Sequence, residues 1–196
     1  MIRFAPACLI PLLLAACVAA PATDPLEALR QADGSVAWQG EYAFSPPGGD
    51  WYLVTLDEDH GSVAFSRECR DLFPCESTMS YVEEPFGYSR DLVLRQEEFF
   101  RRYLWGSRAV FGAPTLQEID LSGRKALVAV AEGREEIKGQ KVWSKVVFVH
   151  RGERVIAFSY SQWRPAEAPF DRQEVALFDR FVRSFRFLKP SFYEQL

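Results

Sequence analysis

Gln140-Lys-Val-Trp-Ser-Lys-Val-Val-Phe-Val-His-Arg-Gly-Glu-Arg-Val-Ile-Ala-Phe-Ser-Tyr-Ser-Gln162 is the stretch that decides the fold. Val142, Val146 and Phe148 interleave with other residues, and beyond the turn Val155 and Ala157 stand opposite Ile156, Phe158 and Tyr160. A period of two is the mark of a strand. Arg151-Gly152 between the two runs is hairpin chemistry, so 140–149 and 154–162 read as an antiparallel pair. Apolar residues occupy both sides of these runs in places. Part of the sheet is therefore expected to be covered on both faces.

Moving toward the N-terminus, 115–121 and 124–132 read as two more strands, joined at Ser122-Gly123 and followed by a turn over Glu136–Gly139. Residues 90–105 switch to helical period, with Leu92, Gln96, Phe99, Phe100, Tyr103 and Leu104 on one face and Gly106 as a stop. Residues 51–56 and 62–66 are strands about the polar turn 57–61, and 78–83 is a weaker extended piece. Val36, Trp38, Tyr42 and Phe44 make 36–45 β-type, broken by Pro46-Pro47-Gly48-Gly49. Asp24-Pro25-Leu26-Glu27 has the order of a helix start and predicts a short helix ending near Asp33-Gly34. Toward the C-terminus, Pro165 and Pro169 bracket a loop, and Asp171-Arg-Gln-Glu174 is a candidate capping box. The helix after it carries Val175, Phe178, Val182 and Phe185 on one stripe, and Lys189-Pro190 ends it. The expected class is α+β: an antiparallel sheet with helices packed on it.

The chain has 196 residues, enough for one domain with a sizeable core. Its formal charge of −4 makes it a poor general binder of nucleic acid, which needs clustered Lys and Arg. Residues 1–16 have the layout of a secretory signal: Arg3, a short apolar run, then small residues. The run is shorter than the ~20 residues of a membrane-spanning helix.

Leu14-Ala15-Ala16-Cys17 resembles the lipobox of bacterial lipoproteins. The resemblance implies cleavage before Cys17, a diacylglyceryl group on its thiol, and acylation of the new amine. Val18 at the next position, where Asp would retain the protein, implies transfer to the outer membrane, with the domain in the periplasm. Several acyl chains, at ~0.8 kcal/mol per buried CH₂, hold more firmly than one. Residues 17–23 then form a lipidated tether, and 24–196 a single domain. The competing reading is cleavage after Ala22, since Ala20-Pro21-Ala22 fits the A-x-A pattern. It would release a freely diffusing periplasmic protein.

Cys8 leaves with the leader, so Cys69 and Cys75 remain as a pair. In an oxidising compartment a disulfide is the default, worth ~2–2.5 kcal/mol for so short a loop. Two free thiols, a redox pair and a metal site are the alternatives.

The order of elements resembles the Mog1/PsbP-like fold, found among small bacterial lipoproteins. The resemblance rests on Tyr42–Trp51, the hairpins of 124–162 and a closing helix Asp171–Phe187. It implies an α+β sandwich that binds other proteins without catalysis.

Residues that could carry chemistry are sparse. His60, in Asp57-Glu58-Asp59-His60-Gly61, lacks the later ligands of a calcium loop and reads as a solvated turn. His150 flanks a turn, and no Gly-x-Ser-x-Gly elbow accompanies it. Glu83-Glu84, Glu97-Glu98 and Glu135-Glu136 read as solvated faces. No metal or other cofactor is called for. Trp163-Arg164, just past a strand end, is a candidate protein-contact patch, since Trp and Arg are enriched at binding hot spots. The expectation is a non-catalytic envelope lipoprotein binding a protein or envelope component, with secretion-system adaptor and immunity roles as variants. The alternatives are a carrier of an apolar ligand and a cell-wall or lipid hydrolase.

Overall fold

The structure is a computed structural model. It describes residues 24–38, 40–57, 61–68, 76–84, 109–135, 139–151 and 154–189. Eleven strands and one α-helix stand among them: β1 Val36–Trp38, β2 Tyr42–Phe44, β3 Tyr52–Asp57, β4 Ser62–Glu68, β5 Glu76–Glu84, β6 Val110–Phe111, β7 Thr115–Leu121, β8 Arg124–Glu135, β9 Gln140–Arg151, β10 Arg154–Pro165, α1 Arg172–Ser184 and β11 Arg186–Phe187. The expected helix 90–105 and the expected loop 69–75 fall outside the described residues.

Eight strands make one sheet, in the order β3-β4-β5-β10-β9-β8-β6, with β7 also on β8. Its centre is the hairpin read first. β9 and β10 pair antiparallel from Arg154↔Arg151 to Pro165↔Gln140. β5 joins β10 on the other side, Ser80 opposite Ser159, and the weak extended piece is a full strand. At the far edge β6 and β7 pair with the same strand, β8, Val110↔Arg134 and Thr115↔Val130. Gly112-Ala113-Pro114 lies between them. Pro114 has no N–H to give a ladder, which accounts for the break. The β7–β8 turn is Ser122-Gly123, both at positive φ (53° and 77°). That is the demand of a two-residue hairpin turn. Ser122 is held in this conformation by its hydroxyl, which donates to the Phe185 carbonyl at 2.7 Å.

The second sheet is small, β1-β2-β11. Residues 36–45 are not one strand but two, β1 and β2, folded back with Trp38 opposite Tyr42. The helix expected from Asp24 is a single 3-10 turn over Glu27–Leu29. Asp24 accepts from the Leu26 N–H at 3.0 Å and Asp33 from the Ser35 N–H at 3.0 Å, so local side-chain bonds take over both ends of the segment. The closing helix is also shorter than read. It ends at Ser184, because Arg186 and Phe187 pair with Ala43 and Tyr42 of β2. The class is α+β with a larger share of sheet than the sequence pattern promised.

α1 and the small sheet cover one face of the large sheet through aromatic rings. Phe181 of α1 meets Phe44 of β2, Phe65 of β4 and Phe158 of β10 edge-on, at centroid distances of 5.7, 6.1 and 6.0 Å. Phe185 meets Phe158 at 4.9 Å and stacks on Tyr42 at 5.5 Å. Edge-to-face and offset pairs add ~0.5–1.5 kcal/mol each beyond burial. The other face of the sheet is buried as well, through Ala129, Ala131, Val146, Phe148, Val155 and Ala157. This agrees with the apolar residues read on both sides of the strands.

Phe181, 2% exposed, joins α1 to both sheets. Phe181→Ala should cost ~3–5 kcal/mol. In urea unfolding the midpoint should fall while the slope stays unchanged, since the same surface is exposed.

Candidate functional site

Alternation along β10 puts Tyr160, Gln162 and Arg164 on the same face as Phe158, toward α1. Cross-strand register extends one row from Gln162 to Ser77 of β5 and on to Arg67 of β4. Above this row α1 begins. Asp171 caps it, accepting from Gln173 N–H at 2.7 Å and Glu174 N–H at 3.3 Å. The capping box read from the sequence is therefore only half formed. Glu174 does not reach back. Gln162 takes its place, accepting from the Asp171 N–H at 2.8 Å and donating to the Asp171 carbonyl at 3.4 Å.

Glu174 instead points into the protein and is 3% exposed. Its Oε2 accepts from Arg164 Nη2 at 2.9 Å, from the Tyr160 hydroxyl at 2.9 Å, and from the Ser77 hydroxyl. Its Oε1 accepts from Arg67 Nη1 at 3.1 Å. Arg164 Nη2 also donates to Ser77 Oγ at 3.0 Å. Arg67 continues outward to Asp50, Nε to Oδ2 at 3.2 Å. A buried carboxylate is tolerated only when its lone pairs are satisfied and an opposite charge is close. Glu174 has four donors, two of them guanidinium groups. Burial, then the Glu174 charge, push the Tyr160 hydroxyl well above the usual phenol range, so it stays a donor.

The cluster binds the start of α1 to three strands. Arg164 and Glu174 are 2% and 3% exposed, so neither faces a reagent in solution. That corrects the contact patch expected at Trp163-Arg164. Consecutive strand residues point to opposite faces, so Trp163 is half-buried on one side and Arg164 turns inward on the other. Glu135 is buried rather than solvated, at 6% exposure. His150 lies in β9 opposite Val155, and Glu83 and Glu84 lie in β5 opposite Ile156 and Val155. Cys17, His60, Cys69, Cys75, Glu97, Glu98 and Glu136 lie outside the described residues. No group of three His, Cys, Asp or Glu that could hold a metal ion occurs among the described residues.

Sequence reasoning missed the cluster. Its signal is a break in polarity: Gln162 and Arg164 continue the inward register of Phe158 and Tyr160, and Glu174 shares the stripe of Phe178 and Phe181.

A second clasp lies at the other end of α1. Arg186 Nη2 meets Asp33 Oδ2 at 2.7 Å and Ser35 Oγ at 3.1 Å. The Ser35 hydroxyl, then Arg186, hold the Asp33 carboxyl well below the usual carboxylate range.

No family model matches the chain. No curated protein matches it either. Among solved structures it is similar to a protein of unknown function from Pseudomonas aeruginosa, 18% identical at a TM-score of 0.44, over 67% of this chain and 95% of that one. It is similar also to PsbP (CyanoP) of Synechocystis, 17% identical at 0.45, over 74% and 86% of the two chains. A third is LpqN of Mycobacterium tuberculosis, described as involved in cell envelope biogenesis, 11% identical at 0.42, over 74% and 82%. At such identities and scores, nothing about what this chain does follows from them.

Glu174→Leu alone should destabilise by ~3–5 kcal/mol, because it strands the Arg164 charge in the interior. Adding Arg164→Met should recover part of that loss. A double-mutant cycle on urea midpoints measures the coupling, and simple additivity would show that the pair does not interact.

Proposed function

We propose that the chain is a lipid-anchored protein of the bacterial cell envelope, held in the outer membrane with its domain in the periplasm, where it binds another protein or envelope component without catalysing a reaction. The observation that carries this reading is Leu14-Ala15-Ala16-Cys17 behind Arg3 and a short apolar run. The domain architecture supports a Mog1/PsbP-like sandwich, in which α1 and a small sheet lie on a large antiparallel one. A saturated, buried Glu174 cluster supports a scaffold rather than a reaction centre. The layer between helix and sheet is filled by the rings of Phe158, Phe178, Phe181 and Phe185, which weighs against an apolar ligand carried there. Cys69 and Cys75 are proposed to close a disulfide that staples the loop between them. Adaptor and immunity roles in a secretion system are the specific forms this binding could take.

Labelled palmitate tests the anchor. The wild-type chain should take up label and fractionate with outer membranes, and Cys17→Ser should abolish both. A wild-type chain without label, or a label that Cys17→Ser retains, would sink the proposal.

A further inference from the structure

The domain carries a net negative charge, yet one face of α1 is cationic. Arg172, Gln173, Ala176, Arg180 and Arg183 are its exposed residues. On a helix the three arginines fall within one sector and span roughly 16 Å from Arg172 to Arg183. Other arginines are spent on carboxylates: Arg30 on Asp24 and Glu27, Arg67 on Asp50 and Glu174, Arg164 on Glu174, Arg186 on Asp33. Arg172, Arg180 and Arg183 enter none of the ion pairs among the described residues. The one acidic residue of α1 beside them that is not buried, Asp179, is taken by Lys145 at 2.6 Å.

The second observation is where the tether emerges. Asp24 binds Arg30 at 3.2 Å, Arg30 donates to the Gly34 carbonyl at 3.3 Å, and neighbouring Asp33 holds Arg186 at 2.7 Å. Arg186 stands two residues past the end of α1. The first described residue is thus linked, through Arg30 and the Asp33-Gly34 turn, to Arg186 just after the end of α1 that carries Arg180 and Arg183. Residues 18–23 reach at most ~20 Å. An acyl chain on Cys17 would hold Asp24, and with it this side of the domain, within that distance of the bilayer.

We infer that the arginine face of α1, at Arg172, Arg180 and Arg183, docks on anionic phospholipid headgroups of the bilayer that holds the anchor. The inference rests on the lipid-anchor reading. Guanidinium groups bind phosphate oxygens through paired N–H donors, and basic residues near an anionic surface add to a lipid anchor. Docking would fix which side of the domain faces the periplasm.

The test is arginine footprinting on the full protein purified from membranes and reconstituted in vesicles. One vesicle set is pure phosphatidylcholine and the other contains phosphatidylglycerol. Flotation with the phosphatidylcholine set reports the acyl anchor alone. Failure to float there would overturn the anchor, whatever the arginines do. Modification by a phenylglyoxal reagent, read by peptide mass spectrometry, reports the arginine face. Arg172, Arg180 and Arg183 should react several-fold more slowly on phosphatidylglycerol vesicles, and about 0.5 M salt should restore their rates. Equal rates on both vesicle types would overturn the docking face, as would protection that salt leaves intact.

Discussion

A carboxylate buried between a helix and a sheet cannot be left half satisfied, and Glu174 sets the terms for this domain. Its four donors come from β4, β5 and β10, so the first turn of α1 has one seat on the large sheet. That seat fixes the roll of the helix. Phe178 and Phe181 then face the sheet, and the small sheet closes on the helix through Phe44 against Phe181 and Tyr42 against Phe185. The remaining face, with Arg172, Arg180 and Arg183, is left to solvent. A hydrophobic pair in place of Glu174 and Arg164 could be as stable, since desolvating two charges offsets much of their attraction. What the ionic cluster adds is a single admissible register for α1, because any other roll buries unpaired charge.

The large sheet was legible in the sequence because its signal is local. Alternation in 142–149 and 154–162, with turn residues between, requires no knowledge of distant partners. The same holds for Ser122-Gly123, where both residues take the positive φ that the turn demands. Misreadings came where a long-range partner decides the outcome. Arg186 and Phe187 continue the helical pattern, but β2 offers them a ladder and Phe185 a core position, and the helix stops. Asp24 and Asp33 were read for one helix, while their side chains bond nearby N–H groups and leave only a 3-10 turn.

The candidate site was less legible than the fold. Trp163 and Arg164 are adjacent in sequence, but adjacency on a strand separates side chains. Arg164 and Glu174 lie ten residues apart, and Ser77 lies far upstream of both. Only strand order brings β5 beside β10. A polar residue in an inward register is the one hint the sequence carries, and a search for exposed contacts overlooks it. The proposed location rests on Cys17 and the residues before it, a short motif that is read without any knowledge of packing.

Native-state hydrogen exchange tests the seating of α1 most directly. If Glu174 makes the helix part of the sheet's cooperative unit, amides in the middle of α1 should exchange with the same opening free energy as those of β9 and β10. Exchange of α1 through a separate, much easier opening, with the central strands still protected, would contradict the account.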